Sequence, residues 1–361
     1  MKRMLLPLLL VLCLLALAVP AAAAEGTAAL PPYPGGGDDG IATVDIAPLL
    51  IQEGGAPLAV ADTTPDPELS AAVRAAILQG LHDRAQEISL TQLGGVPIEM
   101  LSQCYHTVLN DNPDLFYVDN GFSYGYSGSY ATLVFPTYRA EYSPADVDRF
   151  HAACASVVAQ MPEGRTEYKY LWLHDWLITH CTYDMTKTRH NAYHALVEGD
   201  AVCQGYALAY IALCREAGLE ASYISSSDLD HGWNLVKMNG KNYYVDCTWD
   251  DPTGCWEGYC KHTNFLRSRD GMVGTEHDST DWLTVYGEDA YNGVSTSADY
   301  DSGAWWAEQY TAIANVGSTF AYAPGSDSSS VYLRSAVTGA VQTVAHGKTA
   351  TWYVWNSSTQ Y

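Results

Sequence analysis

Cys203, His231 and Asp246 follow one another in the order thiol, imidazole, carboxylate. They sit in Asp200-Ala-Val-Cys203-Gln-Gly205-Tyr, in His231-Gly-Trp-Asn234 and in Val245-Asp246-Cys-Thr-Trp249-Asp-Asp-Pro252. A thiol becomes a nucleophile at neutral pH when its thiolate is stabilised and a base stands beside it. A carboxylate behind the imidazole fixes its tautomer and orientation. The chemistry open to such a set is acyl transfer through a thioester. Taken singly, each residue has a plainer explanation. Free cysteine is among the most buried residue types, a strand histidine is usually a satisfied polar group, and an aspartate beside Trp-Asp-Asp-Pro can simply open a turn. The conjunction points to catalysis.

The elements around these residues decide whether they can meet. Residues 203–217 carry apolar groups at 206, 207, 210, 211, 213, 214 and 217, the period of a buried helix, with Gly218 as its stop. Asp200 is expected as the N-cap, placing Cys203 in the first turn. There unpaired backbone N–H groups and the helix dipole favour an anion, so a depressed thiol pKa is expected and one N–H is available to an oxyanion. Asn239-Gly240 is a strong hairpin signal between His231–Met238 and Lys241–Thr248. A two-residue loop pairs 238 with 241, which sets Trp233 opposite Asp246 and makes Asp246 the diagonal same-face neighbour of His231. A register slip of one residue would separate them.

These segments resemble the transglutaminase-like superfamily, papain-fold cysteine enzymes with a Cys-His-Asp triad, in a secreted, bacterial-type form. The resemblance runs from about Tyr168 to Arg269. It rests on Tyr170–Cys181, Tyr183-Asp184, Tyr193–Gly199, Val202–Tyr206, Ala217-Gly-Leu219, His231–Asn234, Tyr243–Asp246, Thr248–Pro252 and Asn264-Phe-Leu. It implies Cys203 as nucleophile, His231 as acid/base and Asp246 as the orienting partner. Relatives add an aromatic or amide side chain to the Cys backbone N–H as oxyanion donor, for which Trp233, Trp249, Asn191 and Tyr193 are the candidates. Gly232 stands where the family often has alanine; as both are small, no cost is expected. Animal crosslinking relatives need calcium in flanking domains, but no segment here matches those sites and no Asp-x-Asp-x-Asn-Gly loop occurs. His190 and His194 have helix i, i+4 spacing but no carboxylate or thiol to complete a set. The expectation is no metal and no cofactor.

Residues 1–24 begin Met1-Lys2-Arg3, run apolar from Leu5 to Val19 and end in four alanines, the pattern of a secretory signal peptide. No later stretch reaches the ~18 apolar residues of a membrane span. The expected mature protein is secreted or cell-surface associated, and not membrane-spanning. The chain has 18 Lys and Arg against 41 Asp and Glu, and cleavage would remove Lys2 and Arg3, taking the charge from −23 to −25. So acidic a surface is a poor partner for nucleic acid. Eight cysteines follow the signal, and an exported chain can pair them. Cys255 and Cys260, flanking a Gly-containing loop, are the most natural disulfide.

The predicted fold class is α+β: a papain-like, transglutaminase-like core in which a helix-start cysteine packs on an antiparallel sheet. The expected divisions are a signal peptide (1–24), an Ala/Gly/Pro-rich leader (25–64), an N-terminal α+β extension (65–162), the core (163–275), an irregular cover (276–317) and a small β module (318–361). Helices are expected over Pro67–Glu87, Ile98–Asn110, Ala145–Gln160 and Glu167–His180, and an edge strand within Ile41–Ile51. The function read from this is cysteine-dependent acyl transfer on a peptide or protein substrate, with hydrolysis ahead of transamidation because water needs no acceptor site. Cell-wall peptide is one candidate substrate. The rival from another class is a non-catalytic surface or adhesion module that keeps the fold.

Overall fold

The computed structural model describes residues 39–44, 66–256, 258–323 and 330–345. The signal segment and most of the expected leader lie outside the described residues. The fold is mixed α+β, and its sheets of four or more strands are antiparallel.

The first sheet places Asp39–Val44 beside Val118–Ser127, then Tyr130–Tyr138, with Ile88–Ser89 and Val96–Pro97 both on the far side of Tyr130–Tyr138. Helices Pro67–His82 and Ile98–Asp111 cover it. Tyr105 stacks on Phe122 with ring centroids 4.2 Å apart, which seats the second helix on the sheet. The first helix stops five residues short of the expected Glu87. Arg84 takes a positive φ of 51° and the Ala85 N–H turns back to Gly80 O at 2.9 Å, so the chain closes a turn that apolar periodicity does not reveal.

The second sheet carries the site. Its strands run Phe265–Arg267, Lys241–Val245, His231–Met238, Glu220–Ser226, Leu283–Thr284. Helix Cys203–Glu216 lies against Glu220–Ser226 and His231–Met238, with every residue from Cys203 to Cys214 buried. An apolar surface all the way round belongs to a central helix. Asn234 Nδ2 donates to Ala207 O at 3.0 Å, locking helix to sheet. Behind it, helix Thr166–His180 is tied in by Tyr210 Oη donating to Tyr170 O (3.0 Å) and Tyr170 Oη donating to Glu220 O (2.7 Å). The opposite sheet face covers a second cluster of Ile224, Trp233, Tyr244, Met272, Trp282 and Ala290.

A third sheet is a meander of Ala314–Val316, Thr319–Tyr322, Val331–Ser335 and Val341–Ala345. The expected β module beyond residue 345 lies outside the described residues. Such a small sheet cannot bury a large core alone. It leans on helix Thr166–His180: Trp172 Nε1 donates to Asn315 Oδ1 at 3.0 Å, and the Tyr168 and Phe320 rings meet edge to face at 5.5 Å.

Candidate active site

The Asn239-Gly240 turn sets the site. Both residues have positive φ, 53° and 75°, as a tight hairpin turn requires. Met238 pairs with Lys241 and Asn234 with Val245, so Asp246 leaves the strand end on the side of His231. His231 Nε2 donates to Asp246 Oδ2 at 2.6 Å. The other ring nitrogen, Nδ1, is left for the thiol, and Cys203 lies close enough to the His231 ring to help raise its pKa. The three side chains therefore converge. They are also deeply placed, with Cys203 5 %, His231 3 % and Asp246 1 % exposed.

Burial by itself would lower the His231 pKa. The Asp246 charge and hydrogen bond, with the Cys203 contact, outweigh it and raise the pKa to about 10. Burial likewise works to raise the Asp246 carboxyl, but His231 and His277 hold it well below the usual carboxylate range. At neutral pH the site thus holds an imidazolium on an ionised carboxylate.

Asp246 is saturated. Its Oδ1 accepts from the Thr248 and Trp249 N–H groups at 2.9 and 3.2 Å, and its Oδ2 accepts from His231 and from His277 Nε2 at 3.0 Å. His277 is fully buried and was not anticipated from sequence, because it stands in an irregular stretch with no periodicity to place it. The imidazole of His231 is clamped between Trp249, stacked at 4.6 Å and 13°, and Trp233 at 5.6 Å and 20°.

The four candidate oxyanion residues divide. Trp249 and Trp233 lie on the His231 ring, but Trp233 packs edge to face on Trp282 at 5.1 Å and belongs to the second core cluster. Asn191 turns its amide to Tyr142 Oη and the His194 N–H. Tyr193 turns its hydroxyl to Asp146 and Arg149, in a polar cleft of about 440 Å³ that contains no triad residue. The side-chain polar groups of Asn191 and Tyr193 are thus engaged with residues outside the triad. His190 and His194 do not share a centre either: His190 bonds Lys187 O and His194 bonds Tyr142 Oη.

Three smaller expectations are corrected. Asp200 does not cap the thiol helix; the cap position is Val202 without a side-chain bond, and Asp200 pairs with Arg189 at 3.1 Å. Cys255 and Cys260 are not bonded: Cys255 is exposed, and Cys260 is buried facing Asp175. Gly232 is not interchangeable with alanine. A Cβ there would lie 2.1 Å from Tyr223 Oη and 2.6 Å from its Cζ. We expect Gly232→Ala to cost about 1–3 kcal/mol through overpacking, seen as a lower urea midpoint. Tyr223→Phe, which removes the nearest atom, should recover part of it.

That close approach also marks Tyr223 as a site residue missed in the sequence. It comes from the strand next to His231, and burial, then the charges of Cys203 and Asp230, push its hydroxyl pKa well up. It therefore remains an O–H donor.

Residues 155–256 match the family model described as the transglutaminase-like superfamily. The chain carries a transglutaminase-like domain. Among solved structures it is similar to a TGase (13 % identity over 35 % of this chain and 43 % of that one, TM-score 0.27). It is also similar to a provisionally assigned cysteine protease from Cytophaga hutchinsonii (16 %, 35 % and 56 %, TM-score 0.24). A third is menin, whose crystal structure reveals its binding site for the MLL protein (16 %, 52 % and 37 %, TM-score 0.27). The chain thus spans about half or less of the length of each of these structures. A search of curated proteins returned no match. The matched stretch takes in Cys203, His231 and Asp246, and ends before His277.

Proposed function

We propose that the protein is a secreted cysteine-dependent acyltransferase acting on peptide or amide bonds, with hydrolysis as the reaction. The observation that carries this reading is the Cys203–His231–Asp246 convergence within a transglutaminase-like domain. In the proposed cycle the Cys203 thiolate adds to an amide carbonyl. The oxyanion is held by the Cys203 backbone N–H and the Tyr223 hydroxyl. His231 gives its proton to the departing amine, the C–N bond breaks, and a thioester remains. His231 then takes a proton from water, hydroxide adds to the thioester, and the carboxylic acid leaves as the thiolate is restored. An amine in place of water would make the same intermediate a transamidase. Export of the chain is part of the proposal and draws on the signal-like residues 1–24.

One observation favours a second reading, a non-catalytic surface module: Cys203 is only 5 % exposed. Iodoacetamide labelling near pH 6, read by peptide mass spectrometry, separates the two. An enzyme should label first at Cys203, and that preference should vanish in His231→Ala. Slow labelling of Cys203, at the rate of the other buried cysteines, would favour the module.

A further inference from the structure

We propose that His174, Asp175, Cys260 and His262 form a structural site for one divalent cation of the zinc class. His174 and Asp175 stand on helix Thr166–His180, and Cys260 and His262 on the irregular segment beyond the Trp249–Pro252 turn. Cys260 and His262 lie past residue 256, outside the stretch that matches the family model. All four side chains are buried, and their ligand atoms fall within 4.8 Å of one another.

Distances come first. Asp175 Oδ1 is 2.9 Å from His174 Nδ1, 2.9 Å from His262 Nε2 and 3.7 Å from Cys260 Sγ, while Sγ is 4.0 Å from His262 Nε2. A tetrahedron with metal–nitrogen and metal–oxygen bonds of about 2.0–2.1 Å and a metal–sulfur bond of about 2.3 Å has edges of roughly 3.3–3.6 Å. The observed separations straddle that range. A cation would draw the sulfur in and part the shorter contacts slightly.

Hydrogen bonding points the same way. His262 Nδ1 faces Gln309 O at 3.0 Å and must donate to it. In a neutral ring this leaves Nε2 a bare lone pair, aimed at a carboxylate oxygen. His174 is placed between two carboxylates, with Nδ1 on Asp175 and Nε2 on Asp250 Oδ2 at 3.2 Å. A neutral imidazole can donate to only one of them. With Nε2 donating to Asp250, His174 likewise turns a lone pair on Asp175 Oδ1, and a cation seated among these atoms would take both lone pairs and the carboxylate. The same contacts form the outer shell that metal-bound histidines use. Asp250 stands behind His174, a backbone carbonyl stands behind His262, and the Ile313 N–H donates to Asp175 Oδ2 at 2.8 Å.

The donor set selects the ion. Two imidazoles, a thiolate and a carboxylate suit zinc or cobalt and not calcium or magnesium, and four protein donors with no open position make a structural site. One thiolate, one carboxylate and one dication sum to zero charge. The site would fasten the helix to the turn behind the triad, because Asp250 also accepts from Asn264 and its N–H reaches Asp246 O at 3.3 Å. None of this depends on the chain being an enzyme.

The test uses the full chain. Protein purified without chelator should hold about one zinc per chain by elemental mass spectrometry, and chelation should lower its melting temperature. Cobalt(II) added to the stripped protein should give a thiolate-to-cobalt charge-transfer band with tetrahedral visible bands. Cys260→Ser should lose that band, while Cys203→Ala and His277→Ala keep it. Asp250→Asn should weaken cobalt binding about 10- to 100-fold. If Cys260→Ser does not fold, the wild-type cobalt spectrum and stoichiometry decide. A metal-free chain indifferent to chelator and giving no cobalt band would overturn the site in favour of two imidazoliums on two carboxylates. So would a band lost in Cys203→Ala, or a Cys255–Cys260 disulfide in peptide mapping.

Discussion

Cys203→Ala is expected to abolish the covalent acyl-enzyme and to lower kcat/KM on a cleaved peptide by on the order of 10⁴-fold. In the proposed cycle the sulfur forms the intermediate, so its removal stops the reaction at the first step. His231→Ala should cost a similar factor, since without it neither proton transfer nor the imidazolium survives. The double variant should be no worse than either single one, because the two act as a unit. A peptide library incubated with the wild-type chain and read by mass spectrometry would find the substrate and the adduct on Cys203 together. Full turnover in Cys203→Ala would end the proposal. The alanine variant should keep its fold, with a melting temperature within a few degrees of wild type. Cys203 sits at the very start of its helix, where no side-chain cap is lost by its removal. Loss of activity with an unchanged melting temperature therefore separates chemistry from folding.

How much of this was legible in the sequence depends on how local the controlling interaction is. The hairpin register followed from two residues, Asn239 and Gly240, whose backbone preference admits one short turn, and the register brought Asp246 to His231. The thiol helix followed from apolar periodicity. Where three-dimensional contacts decide, the sequence was silent or misleading. Asn191 and Tyr193 lie only 12 and 10 positions before Cys203, yet the chain between turns them toward Tyr142, Asp146 and Arg149. Asp200 has the right type for a cap and is drawn off by Arg189. Gly232 resembles alanine until Tyr223, from the neighbouring strand, is seen lying over it. His277 reaches Asp246 from 31 positions away and His262 reaches Asp175 from 87, distances over which spacing carries no signal. Local patterns fix elements; buried polar clusters are decided by tertiary packing.

Asp246→Ala should be the most destabilising single substitution at the site, at about 3–5 kcal/mol, besides abolishing turnover. The reason is the number of donors that one carboxylate serves. Removing it strands two buried imidazole N–H groups, on His231 and His277, and the Thr248 and Trp249 backbone N–H groups together. The His231 contact is an ion pair in a buried site, so its loss costs more than that of a neutral hydrogen bond. Asp246→Asn should fall between, since its amide keeps one oxygen but offers hydrogens where the histidines also donate. The pH dependence gives the signature that a merely structural aspartate would not show. The His231 pKa in the folded chain, about 10, exceeds its ordinary 6.5, so this ion pair stabilises fully below pH 6.5 and the stabilisation is lost as pH rises through 10. The depressed Asp246 carboxyl works in the opposite sense, its contribution present above the ordinary carboxylate range and lost only in strong acid. Wild-type stability from urea titrations should therefore decline between pH 6.5 and 10, and Asp246→Ala should flatten that decline. If the variant shows the wild-type slope, His231 does not draw its charge from Asp246, and the imidazolium has another source.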